Sequence, residues 1–482
     1  MRLVLVFVVL LSGCAAQTPF FKPAGPAPEA PPITIDVWPH RELWTGVIFN
    51  GHKIGFTRRE VRPAAGGQWE IESEAMMRLQ FLGVDKRIRL RGVDRVAADL
   101  TLRSFEYEHE IDGNRMQVAG TVEGGVVRFA VNGRGSSETK ELKVEGALYP
   151  TSALALLPVT RGLKVGMKER YAVFYGEAQQ IAVAELDVLA YEASTLYDGS
   201  AFRVETRLLG LDTTTWIAAD GRPLFERSMQ GVLISALEDQ AMARRYLVEA
   251  SLNKRDTMLD FTLVKAGPIP APRQVSRMDI VFLNDMTVPS DGGQTCTRES
   301  NRIACRIDRT APLAQDDPKR YLRATFAAPS NLRGISDMAR TIAADATTDD
   351  ERIARLLAWM DANIAKEALD AFTAEDVLRA RKGECQGHSY VFAAFARSLG
   401  MPARIVNGIV YSEEHGGFLY HTWNEAWVAG RGWQPVDATF GQAHADATHV
   451  KLVEGETGAD LMPIVRFVGR VRVGTVSARA RW

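Results

Sequence analysis

From about Leu43 to Val264, apolar and polar residues alternate, the pattern of strands with one face buried and one wet. Lys86 to Leu90, Val126 to Val131 and Ala201 to Leu208 each keep this period. Turn residues interrupt it at short intervals. Gly46 to Phe56 reads as strand, Asn50-Gly51 turn, strand. Further turns fall at Asp112-Gly113-Asn114, Glu123-Gly124-Gly125, Asn132-Gly133-Arg134-Gly135 and Asp220-Gly221-Arg222-Pro223. The pattern predicts a mostly antiparallel sheet or half-barrel over residues 41–265, with one short helix around Ser152 to Leu157. A Pro-rich linker at Gly267 to Pro272 leads to a smaller β-rich segment over 274–330, whose strand candidates are Met278 to Leu283 and Tyr321 to Phe326.

The period then becomes helical. Asn331 to Ala344 and Asp349 to Ala365 are helix candidates, and Ile353, Leu356, Leu357, Met360 and Ile364 share one face of the second. Thr347, Thr348 and Asp349 offer its N-cap, and Thr373 starts a short helix through Arg379. Tyr390, Phe392, Ala393, Ala396 and Leu399 form another stripe, ended by Gly400-Met401-Pro402. His421 to Val428 alternates again, turns at Ala429-Gly430-Arg431, and returns through Gly432 to Phe440. The expected class is α+β: a mostly antiparallel β N-terminal region before a C-terminal core over 331–482.

Composition narrows the partners. A chain of 482 residues implies several domains, and a net charge of −1 gives no field for nucleic acid. The arginines of Arg87 to Arg95 mix with acids and read as strand faces. At the N-terminus, Met1-Arg2 precedes an apolar run from Leu3 to Leu11 and then Ser12-Gly13-Cys14, which reads as a signal peptide over residues 1–13. The run is too short to span a bilayer as a mature helix. Leu11 to Cys14 resembles the lipobox of bacterial lipoproteins. That resemblance implies lipidation of Cys14 and anchoring to a membrane through the lipid. With Ala15 rather than Asp next, it points to the periplasmic face of the outer membrane. A plain cleaved signal with an incidental Cys14 is the alternative. Residues 14–40 are rich in Pro and Ala and are expected to be an extended tether without secondary structure.

Cysteine usage follows from export, because structural cysteines pair in oxidising compartments. There are four: Cys14, Cys296, Cys305 and Cys385. Cys296 and Cys305 flank a polar stretch that suits a hairpin, so a local disulfide is expected; a shared metal is the rival reading. Cys385 is left as a free thiol.

Cys385 falls at a helix start between Gly383 and Gly387, and the positive end of a helix stabilises a thiolate. A thiol nucleophile needs a base and an oriented acyl group. If Val428 pairs with Gly432 around a three-residue turn, Trp423 lies opposite Asp437 and His421 opposite Thr439. His421 and Asp437 then become diagonal neighbours on one face. A two-residue turn would part them. Cys385, His421 and Asp437 are therefore the candidate triad, with the Cys385 backbone N–H as one oxyanion donor. Taken singly, each has a structural reading, as a buried thiol, a core histidine and a turn carboxylate. His388 is read as a helix-surface or supporting residue, and His52 and His109 as ordinary structural or surface histidines. Trp359, Trp423, Trp427 and Trp433 are read mostly as core. His444, Asp446 and His449 could make a metal site, but their spacing is loose, and no metal or cofactor is expected.

Gly383-Glu384-Cys385, His421-Thr422-Trp423 and Trp433 to Phe440 resemble the three signature blocks of the transglutaminase-like superfamily, over roughly residues 335 to 452. The resemblance implies a papain-like core with a Cys-His-Asp triad, performing acyl transfer or hydrolysis on peptide or glutamine amides. Gly441 to Val450 resembles bacterial members. Asn424-Glu425-Ala426 departs from the more apolar strand of many members and is not expected to disturb the triad. The N-terminal region loosely resembles the half-barrels of exported lipoproteins. A peptide or protein substrate in the cell envelope is the expected partner, and a non-catalytic envelope scaffold is the competing class.

Overall fold

The alternation after residue 41 builds one 16-stranded sheet, seen in a computed structural model that describes residues 20–480 other than Lys254 and Asp285. The signal segment and Cys14 lie outside the described residues. Glu42–Phe49 is central in the sheet: on one side the chain meanders out to Ser137–Lys143, and on the other Leu233–Glu238 leads back to Lys168–Tyr175. The ladders are antiparallel except where Leu148–Pro150 joins Lys168–Tyr175. Asn50 and Gly51 both take positive φ (47° and 82°) while Phe49 faces His52, a two-residue turn whose twist matches the strands. The sheet curls around an apolar cluster drawn from both arms, including Phe105, Phe129, Phe174 and Phe202.

Several elements depart from the alternation. Residues 240–262 form three short helices, because Asp239 and Asp256 accept from the N–H of Met242 and Leu259 and so start two of them. The helix expected at Ser152 to Leu157 is a 3-10 turn at Thr151–Ala153 and a helix at Leu157–Arg161. The described part of the 14–40 stretch is docked rather than free of structure. Phe21–Pro23 pairs with Glu192–Ser194, Phe21 stacks on Trp216 at 4.1 Å, and Ala30, Ile35 and Trp38 are buried. Apolar side chains within a Pro-rich stretch hold it against the sheet.

The smaller sheet orders Gln294–Glu299, Arg302–Asp308, Val275–Phe282 and Val473–Ala480. Its last strand comes from the far end of the chain, so the 274–330 and 331–482 segments interleave. Cys296 sits directly opposite Cys305 and is bonded to it. Tyr321–Phe326 is not a strand. Lys319–Leu322 is a 3-10 turn, and Tyr321 packs edge-on against Trp433.

The C-terminal core has an antiparallel sheet of Ala403–Ser412, Gly417–Val428, Gly432–Val436 and Val450–Glu454, joined at one edge by Val264–Lys265. Helices Arg333–Ile342, Asp349–Asn363 and Ala374–Ala380 surround helix Cys385–Ser398. That helix is apolar on every side from Tyr390 to Ala396 and fully buried there, as a central helix must be. Among the described residues, no helix is long and apolar enough to cross a membrane.

Candidate active site

Cys385 is the first residue of helix Cys385–Ser398, free and half-buried. Its N–H therefore has no intrahelical acceptor. Gly387 permits the approach of the neighbouring helix: a Cβ there would meet Val377 at 2.8 Å. Two hydrogen bonds clasp this helix to the strand that carries His421. Ser389 Oγ donates to the Thr422 carbonyl at 3.1 Å, and Asn424 Nδ2 donates to the Ser389 carbonyl at 3.1 Å.

The hairpin has the three-residue turn, with Val428 opposite Gly432 and Asn424 opposite Val436. His421 and Asp437 consequently meet, with Nε2 2.7 Å from Oδ2. This leaves Nδ1 of His421 free to face Cys385, whose charge acts on the ring. Phe440 stacks on the imidazole at 4.9 Å. Burial pulls the His421 imidazole down. The charges of Asp437 and Cys385, and the hydrogen bonds to them, outweigh it and raise His421 to about 9.

Asp437 is saturated. Oδ1 accepts from the N–H of Thr439 at 2.7 Å and of Phe440 at 2.9 Å. Oδ2 accepts from His421 and lies 2.9 Å from Nε2 of His449. His421, Asp437 and His449 group their polar atoms as metal ligands do. The 2.7 and 2.9 Å separations are nevertheless hydrogen-bond lengths, whereas two ligands on one zinc at about 2.0–2.1 Å each stand further apart.

His449 is the residue that the sequence placed elsewhere, as one of a loose trio with His444 and Asp446. Asp446 does adjoin it, but His444 faces a separate cavity with Arg309 and Arg404. His388 is buried, not on the helix surface, and its Nδ1 lies 2.9 Å from the Glu384 carbonyl. Trp423 and Trp433 are buried in the core. The Asn424-Glu425 departure has a structural reason. Asn424 makes the clasp, and Glu425 holds Arg404 at 2.5 Å and Lys451 at 3.1 Å.

The 16-stranded sheet reaches this region. Lys86 Nζ is 2.7 Å from Asp370 Oδ2 and 3.1 Å from Asp112 Oδ2, and it also contacts the Ala368 carbonyl. Burial and then the charge of Asp370 push the Glu384 carboxyl, one residue before Cys385, up to about 8. Nothing in the local sequence of Lys86 signals this contact across 284 positions.

Residues 336–438 match the model of the Transglutaminase-like superfamily. Kyphoscoliosis peptidase of Mus musculus is 29% identical over 133 residues, 24% of this chain and 20% of that protein. The Homo sapiens protein of the same name is 30% identical over 128 residues, 23% and 19% respectively. The chain thus spans about a fifth of the length of the curated relatives it matches. The periplasmic domain of TgpA from Pseudomonas aeruginosa is 19% identical with a TM-score of 0.27, covering 38% of this chain and 73% of that one. A β-barrel-like protein from Brucella abortus is 10% identical with a TM-score of 0.32, covering 41% and 95%.

Proposed function

We propose that this chain is an exported, lipid-anchored thiol enzyme acting on peptide or glutamine amides, with Cys385, His421 and Asp437 as its triad. The observation that carries the reading is one buried imidazole held between a free thiol at a helix start and a saturated carboxylate. It is a papain-like arrangement of nucleophile, base and orienting acid. The charge of Asp437 opposes burial and favours the protonated His421, the imidazolium that a thiolate needs.

Sγ of Cys385 attacks the carbonyl carbon, and the C=O electron pair moves to oxygen, towards the Cys385 N–H. Collapse expels the amine, which takes the proton from His421 and leaves a thioester. Water or a second amine then loses a proton to His421 and attacks the thioester. This releases the acid or a new amide and returns Cys385. The peptidase name of the curated relatives favours water as the acceptor and a peptide bond as the target. The sequence from Leu3 to Cys14 supports export and lipidation at the periplasmic face of the outer membrane.

The test is incubation of wild type and Cys385→Ala with envelope extracts, read by mass spectrometry. Cleaved peptides that depend on Cys385 are the expected result, and Cys385-dependent isopeptide cross-links would make the acceptor an amine. No Cys385-dependent change of either kind would reject the enzyme reading in favour of a scaffold.

A further inference from the structure

We infer that His449 is a second, positively charged imidazole that positions Asp437 and shares its negative charge with His421. The inference rests on the triad proposed above. His449 is fully buried, immediately before strand Val450–Glu454. Its Nε2 lies 2.9 Å from Asp437 Oδ2. Its Nδ1 meets the Asp446 carbonyl oxygen at 3.2 Å and Asp446 Oδ1 at 3.4 Å. Both ring nitrogens therefore face oxygen acceptors. A neutral imidazole has one N–H and would leave the other nitrogen lone pair against an oxygen, buried and unsatisfied. The imidazolium satisfies both sides.

The charges around the ring agree with this. Asp437 and Asp446 are in direct contact with it, and the His421 ring is 5.8 Å away. The nearby cations contact other atoms: Arg273 Nη1 is on Asp446 Oδ2 at 2.8 Å, and Arg309 donates to the carbonyls of Asp446 and His449. Burial opposes the charge on His449, but the hydrogen bonds and charges of the two carboxylates prevail and raise it above its ordinary range. Asp437, with two donors on each oxygen, has no spare lone pair and no freedom to turn. Removing the His449 cation would leave the Asp437 charge to His421 alone.

Nitrogen-15 NMR of histidine-labelled protein reads the protonation, and iodoacetamide reads Cys385. At pH 7.5 both His449 nitrogens should fall in the N–H range. In His449→Phe and His449→Gln, His421 should lose its proton about one pH unit higher, a tenfold change in acid dissociation. Alkylation of Cys385 should slow about tenfold in His449→Phe and recover to within about threefold of wild type in His449→Gln, which keeps a donor for Asp437 but no charge. A merely structural role would slow alkylation without moving the His421 midpoint. An unprotonated His449 nitrogen at pH 7.5 overturns the inference, as does an unshifted His421 in His449→Gln, the variant that decides if His449→Phe does not fold. A wild-type Cys385 no faster than free cysteine would instead overturn the triad, while the nitrogen shifts still judge the charge on His449.

Discussion

Two buried aspartates, Asp437 in the C-terminal core and Asp94 in the 16-stranded sheet, meet the same burial penalty in opposite ways. Asp437 accepts two backbone N–H groups and two imidazoles. Burial raises its carboxyl, but the two histidines outweigh burial and hold it well below the usual carboxylate range. Asp94 accepts only the hydroxyls of Tyr107 and Ser152, each at 2.6 Å. There burial wins, and the carboxyl is pushed up to about 6. The difference shows that two hydroxyls alone do not offset the burial of a carboxylate, whereas opposing charge does. It also sets opposite pH responses. The contribution of Asp437 is present above its ordinary 3.8 and is lost as pH falls below that value. That of His421 is complete below 6.5 and is lost as pH rises through about 9. Asp94 works against folding: its penalty is absent below 3.8 and complete above about 6.

The largest effect should come from breaking the saturated site. Asp437→Asn keeps the shape but removes the charge between two imidazoles. Loss of a partner from a buried ionic cluster costs about 3–5 kcal/mol, and the urea midpoint at pH 7 should fall accordingly. Cys385 alkylation should slow with it, because His421 loses the group that orients it. A variant that unfolds at the wild-type midpoint would show that the histidines do not depend on Asp437, and the contrast with Asp94 would vanish.

Legibility in the sequence divides along the same line. The His421–Asp437 meeting could be worked out because strand side chains alternate and an odd turn at Ala429-Gly430-Arg431 leaves one register. His449 could not be placed, because 12 positions of turns separate it from Asp437 and no periodicity survives such a path. Of the two readings of His388, helix surface or supporting residue, burial of its helix on all sides leaves the second, because a histidine in a helix reads as a surface residue until the helix proves buried. In the 16-stranded sheet, alternation predicted the strands but not which polar side chains line a cavity. Arg59, Asp94 and Glu226 line a cavity of about 590 Å³, although a polar residue in an alternating strand reads as facing solvent. Of the three helices after residue 239, two are started by single capping aspartates, a signal weaker than the strand pattern before them.

A smaller effect, and one of opposite sign, is expected at Asp94. Raising a carboxyl from 3.8 to about 6 corresponds to about 3 kcal/mol that the folded state gives up between acid and neutral pH. Asp94→Asn has no charge to bury; its amide oxygen can accept from one of the two hydroxyls and its amide nitrogen can donate to the other. Measured against wild type, the variant should gain stability as pH rises from 4 to 7. An equal difference between the two proteins at both pH values would mean that Asp94 is charged at no cost, and that the 16-stranded sheet solves burial as the core does.

The smallest effect tests the contrast from its cationic side. In the core, Arg404 stands among Glu425 at 2.5 Å, Asp291 at 2.8 Å and Asp316 at 3.1 Å, and these charges hold its proton more tightly than usual. In the 16-stranded sheet, Arg59 has a buried Nη2 without a hydrogen-bond partner. Its neighbour Glu226 is taken up by Thr215 at 3.0 Å. Burial draws the Arg59 guanidinium down to about 10, and the charge of Glu226 opposes this only in part. A buried cation without a bonded partner contributes little, so Arg59→Met should lie within about 1 kcal/mol of wild type, on the stabilising side, in urea denaturation at pH 7. Glu226, already raised by burial, can take up a proton once the cation is gone. A loss beyond about 2 kcal/mol would mean that Arg59 is held in the cavity as firmly as Arg404 is in the core, and the two regions would then differ only in their carboxylates.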